Sequence, residues 1–122
     1  MFKSAPPVVQ GQGVTFEVGG MKVNAFDGGP EFKFNGAISL FVTCEDQAEV
    51  DYYWQRLTEG GEDGRCGWLK DKFGVSWQVV PTALGRLLSD PDRERADRAM
   101  QAMLQMSKLD IAALEAAADG AR

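Results

Sequence analysis

The sharpest pattern in the chain is the alternation over residues 75–80. Val75, Trp77 and Val79 share one face of an extended segment, and Ser76, Gln78 and Val80 share the other. Residues 67–70 form a second run suited to a strand, and Asp71 to Gly74 between the two reads as a turn, so residues 66–81 predict a hairpin ended by Pro81. Earlier in the chain, residues 14–18 alternate Val, Phe, Val against Thr and Glu. Gly19-Gly20 then predicts a tight turn, and residues 21–26 return as a partner strand. Asp27-Gly28-Gly29-Pro30 breaks that strand, and in the loop 31–36 Phe32 and Phe34 are expected to plug a core edge, the alternative being contact with a ligand. Residues 37–44 are apolar nearly throughout, which predicts a strand covered on both faces.

The remaining pattern is helical. Asp46, with Glu49 three positions on, has the spacing of a capping box. Val50, Tyr53, Trp54 and Leu57 then recur at i, i+3, i+4, i+7, one stripe facing a sheet, and Gly60-Gly61 ends the helix. Tyr52 and Tyr53 are adjacent, so they point in different directions and at most one can reach a cleft. Residues 62–65 read as a polar loop or a weak strand. After Pro81, residues 82–88 form a short helix with Leu84, Leu87 and Leu88 inward. A longer helix is expected to be capped by Asp90, with Pro91 at its first position and Ala96, Ala99, Met100, Met103 and Leu104 as its stripe. Asp110 is expected to cap a last helix through Ala118, with Ile111 and Leu114 buried. The head, residues 1–12, carries Pro6-Pro7 and reads as an extended arm.

Composition narrows what this framework can do. With 122 residues, 44% hydrophobic and 25% charged, the chain has material for one domain and one core. A net charge of −5 argues against a nucleic-acid partner, which needs a basic patch. No apolar run approaches a membrane span, and residues 1–10 lack the apolar core of a signal peptide, so the expected location is cytoplasmic. Cys44 and Cys66 have no metal-ligand spacing and are expected to be reduced and partly buried. Histidine is absent. That removes the Ser-His-Asp triad, the Cys-His pair and imidazole ligation, leaving proton transfer to carboxylates, tyrosines or lysines.

The Trp-Gln strand of the 66–81 hairpin, the Ser-Asp-Pro-Asp segment at 89–92 and Met-Leu-Gln-Met at 103–106 resemble the PhnB-like branch of the vicinal-oxygen-chelate superfamily. That superfamily includes glyoxalase I, bleomycin-resistance proteins and extradiol dioxygenases. The resemblance implies an α+β fold made of βαβββ units with a curved, mainly antiparallel sheet and C-terminal helices. Residues 1–122 would form a single domain: 1–12 an arm, 13–36 a partial first unit, 37–80 a βαβββ unit and 81–120 a helical tail. The opening β-α pair of the first unit finds no counterpart. Either the chain is shortened or diverged there, or a second chain supplies the missing edge, which favours a homodimer. Relatives often bear the name 3-demethylubiquinone-9 3-methyltransferase. Gly11-Gln12-Gly13, however, follows no strand and precedes no helix, as the Gly-rich turn of common methyl-donor sites would require.

The resemblance also maps positions. Where metal-using relatives carry a ligand carboxylate on the last strand, this chain has Gln78. Where they often carry a histidine on the second unit's first strand it has Ser39, and a further ligand position falls near Asn24. These are neutral, weak ligands, so no bound metal and no cofactor are expected. Gln78 and Ser39 either satisfy backbone groups inside the sheet or touch a ligand. Trp68 and Trp77 are either core aromatics or walls of a ligand cleft. The function expected from these readings is metal-free binding or sequestration of a small molecule through Ser39, Trp68, Trp77, Gln78 and Asn24. The alternatives are a metal-dependent lyase or isomerase of the same superfamily and a structural oligomer with a vestigial cleft.

Overall fold

A computed structural model describes residues 8–10, 13–26 and 29–120, the first three through their backbone alone. The expected break at Asp27-Gly28 and most of the arm over 1–12 lie outside these residues. The chain divides between Lys33 and Phe34 into two compact units. The first is a three-stranded antiparallel sheet of β1 (Val8–Gln10), β2 (Gly13–Val18) and β3 (Met21–Phe26), in that order. Gly19 and Gly20 make the hairpin turn with φ of 54° and 82°, a left-handed pair that side chains with a Cβ rarely adopt. The expected arm therefore contributes a strand at its end, and β2 is the central strand rather than an edge. Phe32 does not plug a core: it is 86% exposed.

The second unit holds a four-stranded sheet in the order β4-β7-β6-β5. Its members are β4 (Ser39–Cys44), β5 (Glu62–Asp63), β6 (Trp68–Lys70) and β7 (Ser76–Pro81). β5 and β6 and then β6 and β7 pair antiparallel, whereas β4 pairs parallel to β7, Ser39 opposite Ser76 through Cys44 opposite Pro81. A parallel pair cannot be joined by a tight turn. The crossover begins with α1 (Gln47–Thr58), which packs on one face only. Its Val50, Trp54 and Leu57 meet Cys44, Leu69, Trp77 and Val79 from the sheet, with Tyr53 packed alongside. Tyr52 points away, 51% exposed. The architecture is the expected α+β fold, a βαβββ unit followed by helices.

Local chemistry explains the boundaries. The Asp46 carboxylate accepts the Glu49 N–H at 2.9 Å, and the Glu49 carboxylate accepts the Glu45 N–H at 2.7 Å, one residue earlier than in the usual capping box. The hairpin turn hangs on Asp71. One carboxylate oxygen accepts the N–H groups of Phe73 and Val75 at 2.9 and 3.0 Å, and the other accepts the Trp77 indole N–H at 2.9 Å. The expectation that residues 37–44 are covered on both faces is overturned. Pairing starts at Ser39, Ile38 is 78% exposed, and Leu40 and Phe41 are 41% and 58% exposed, because β4 is an edge strand with a helix on one side only. Phe34 is likewise exposed.

The tail comprises α2 (Thr82–Leu88), α3 (Arg93–Leu104) and α4 (Ile111–Ala118) around Leu84, Leu109 and Leu114. Asp92, not Asp90, caps α3: its carboxylate accepts the Glu94 N–H at 3.1 Å. Asp90 instead accepts the Asp92 N–H at 2.9 Å and pairs with Arg95 at 2.9 Å, so Pro91 precedes the cap. Only part of the expected α3 stripe is covered. Ala96 and Ala99 are buried, but Met100 and Leu104 are exposed. Asp110 caps α4 as expected, accepting the Ala113 N–H at 3.0 Å. The tail is tied to the sheet where Cys66 and Gly67 donate to the carbonyls of Met106 and Ser107 at 2.9 and 2.8 Å.

Two outcomes follow from this core. Asp71→Ala leaves the turn and the buried Trp77 indole without their acceptor, and is expected to cost about 1–3 kcal/mol, measured by urea unfolding. Cys44 is fully buried, and that burial, with the Glu49 and Asp46 carboxylates nearby, pushes its thiol up to about 11 from 9.0. The folded state thus favours the neutral thiol, a contribution complete below pH 9 and lost as pH rises from 9 toward 11. The stability difference between the native protein and Cys44→Ala is therefore expected to shrink by roughly 2–3 kcal/mol over that window. A constant difference would show that Cys44 ionises freely.

Candidate functional site

Because α1 takes one face of the four-stranded sheet, the side chains of the opposite face are left to form a surface. The register lays them out in two rows. Phe41 lies opposite Gln78 and Gln78 opposite Trp68, and in the next row Ser39 lies opposite Ser76, Ser76 opposite Lys70 and Lys70 opposite Glu62. The period-two alternation of each strand makes this a single face. Val80, at the Pro81 end of the same face, packs into the tail helices, so the tail covers that end; of the two rows Phe41, Lys70 and Glu62 are exposed, Ser39, Trp68 and Gln78 half-buried, and Ser76 buried.

Three expected site residues meet here. The Gln78 amide donates to the Ser39 hydroxyl at 3.0 Å, a partly buried bond across the parallel pair. Trp68 flanks Gln78 on the other side and is half-buried. Trp77 does not join them. It faces α1, is 5% exposed, and spends its indole N–H on Asp71. The cleft-wall reading of Trp77 is thereby corrected: an odd residue between Ser76 and Gln78 must point to the helix side once that pair faces outward. Asn24 belongs to the first unit, where its side-chain oxygen accepts the Thr15 hydroxyl at 2.7 Å.

The donor set does not fit a divalent metal. Ser39 and Gln78 are neutral and bonded to each other, and among the described residues no three His, Cys, Asp or Glu side chains are grouped to hold an ion. Nor does either strand-to-helix junction of this sheet offer a Gly-rich phosphate cradle. β4 enters α1 through Glu45-Asp46, and β7 runs directly into Thr82. What the face presents is an aromatic at each end of one row, an amide between them, and a row of hydroxyl, ammonium and carboxylate groups. Ser76, Lys70, Glu62 and Phe41 were not singled out from the sequence. Ser76 alone was within reach there, since the alternation had already placed it on the face of Gln78.

No helix among the described residues is long and apolar enough to cross a membrane. No curated protein matches the chain. Several solved structures resemble it, among them two bacterial proteins. A PhnB protein from Bacillus cereus that carries a 3-demethylubiquinone-9 3-methyltransferase name is 33% identical with a TM-score of 0.53, over 57% of this chain and 64% of its own. A protein from Pseudomonas aeruginosa is 24% identical with a TM-score of 0.49, over 57% of this chain and 61% of its own. The chain thus spans less than two thirds of each. The model of the 3-demethylubiquinone-9 3-methyltransferase family matches residues 4–80, well over half of the chain. With that match and the βαβββ order of its second unit, the chain belongs to this family, in its PhnB-like form.

Proposed function

We propose that the chain binds a small organic molecule on the open face of its four-stranded sheet, without a metal ion, in the manner of glyoxalase/bleomycin-resistance proteins. The observation that carries this reading is the two-row face itself. A sheet face left open by the helix layer, with Phe41 and Trp68 flanking a polar centre, has the makeup of a ligand surface, apolar walls with a few fixed polar groups. The neutral Ser39–Gln78 pair favours recognition by hydrogen bonding over metal-assisted chemistry.

A second copy is the expected partner, and β4 is the edge it would pair with. The opposite edge, β5, is two residues long and acidic, which discourages strand addition. β4 is six residues long, carries no charge, and exposes Leu40 and Phe41, with Ile38 just before it. Antiparallel pairing of two β4 edges about a two-fold axis satisfies both rows of backbone groups and buries those side chains.

Aromatic small molecules titrated into the protein are expected to quench its fluorescence, and Trp68→Phe to remove most of that response while Trp54 and Trp77 remain. An unchanged response in that variant would place binding elsewhere, and a response lost on chelator treatment would restore a metal to the site. Light scattering at micromolar concentration is expected to give about twice 13.3 kDa, falling to the monomer in Leu40→Glu. A native monomer that persists on concentration would remove β4 as an interface.

A further inference from the structure

At the β5–β6 end of the open face lies a recess of about 190 Å³ whose lining includes Gly36, Glu62, Gly64, Trp68, Lys70 and Ser76. On one side it is bounded by a close backbone approach. Gly64 donates its N–H to the Trp68 carbonyl at 2.8 Å, and a Cβ at position 64 would come within 2.6 Å of that oxygen. The chain just after β5 can approach Trp68 this closely only as glycine.

Into this recess faces the Ser76 hydroxyl. Ser76 is 3% exposed, and its hydroxyl makes no hydrogen bond among the described residues, whereas the neighbouring Ser39 hydroxyl is engaged by Gln78. No buried side-chain polar atom among the described residues lacks a partner, so this unbonded hydroxyl is still reached by solvent through the recess and is available to a ligand atom. Glu62 and Lys70 stand directly opposite each other on paired strands, yet among the described residues they make no ion pair. Opposite charges at such positions ordinarily attract. Here they flank the recess as one acceptor and one donor, while Asp63, which also lines it, alternates toward the opposite face with Leu69.

We propose that this recess takes a small zwitterion with an apolar body, of the α-amino-acid type. Its ammonium is held by Glu62, its carboxylate by Lys70 and the Ser76 hydroxyl, and its apolar part by Trp68. A simple cation would meet the like charge of Lys70, and a simple anion that of Glu62; a ligand carrying both charges meets neither unpaired. The inference rests on the open face being the ligand surface and names the ligand class for that surface.

Three probes share a phenyl ring and differ only in charge: phenylalanine, 2-phenylethylamine and 3-phenylpropanoate. Their binding is followed by calorimetry and by the Trp68 indole N–H resonance. Phenylalanine is expected to bind about tenfold tighter than either of the others, the gain from one added charge-assisted contact. Lys70→Met, at an exposed position, is expected to bring phenylalanine down to the level of 2-phenylethylamine without weakening the latter, and Ser76→Ala to weaken phenylalanine and 3-phenylpropanoate several-fold. Should Ser76→Ala fail to fold, Lys70→Met decides alone. Equal affinities, a preference for a singly charged probe, or binding only by unrelated aromatics would overturn the zwitterion while leaving the open face as a ligand surface. No shift of the Trp68 resonance with these probes or with other aromatic compounds would overturn both.

Discussion

The second unit depends on the parallel pairing of Ser39–Cys44 with Ser76–Pro81. The two strands are far apart in sequence, and their pairing forces the chain between them to leave the sheet and return. That detour is α1 and the β5–β6 strands, and α1 must lie on one face of the sheet because only one of its stripes is apolar. Cys44, Leu69, Trp77 and Val79 are thereby committed to the core. The residues between them, Ser39, Phe41, Ser76, Gln78, Trp68 and Lys70, are committed to the other side. The open face is a consequence of this pairing and of the strict alternation along each strand.

The tail keeps that face from being either fully closed or fully bare. It is held by contacts of different kinds: backbone bonds from Cys66 and Gly67, the packing of Val80 among Leu84, Leu109 and Leu114, and polar ties to α1. In one of these ties Gln47 donates to the Leu109 carbonyl at 3.1 Å and accepts the Ile111 N–H at 2.8 Å. In another Lys108 pairs with Asp51 at 2.9 Å. Within the tail, Arg98 donates to the Ala118 carbonyl at the C-terminal end of α4, where a cation is favoured, and Arg95 links Asp90 to Asp119. The exposed ion pairs hold geometry more than they add stability.

The character of the face follows from which residues the rows contain. A carboxylate at position 78 or an imidazole at 39 would have offered a metal strong ligands; an amide and a hydroxyl bonded to each other offer a fixed polar centre. The family name describes a methyl transfer, but the two strand-to-helix junctions of this sheet carry acidic and proline-containing turns rather than a glycine cradle. The chemistry legible on this surface is recognition: aromatic faces, a neutral hydrogen-bonding pair and one opposed pair of charges.

Much of the fold was determined by the sequence alone, because its signals are local. The alternation at 75–80, the Asp71 turn, the Asp46 cap and the α1 stripe each depend on neighbours within a few residues, and each appears where the pattern puts it. The faces of the last strand were legible too, so Gln78 was correctly placed opposite Trp77. Which face met the helix was not, since both carry residues fit for burial; only the packing of α1 put Trp77 in the core against the helix and Ser76 and Gln78 on the opposite face. The exposure of Phe41 and Leu40 likewise came from strand order, because a hydrophobic run does not reveal whether its strand is central or at an edge. The α3 cap moved from Asp90 to Asp92 because the Asp92 N–H and Arg95 each take one carboxylate oxygen of Asp90. The recess beside Trp68 belonged to tertiary structure entirely. It required Glu62, Lys70 and Ser76 to be brought together from three strands, a proximity that no local pattern encodes.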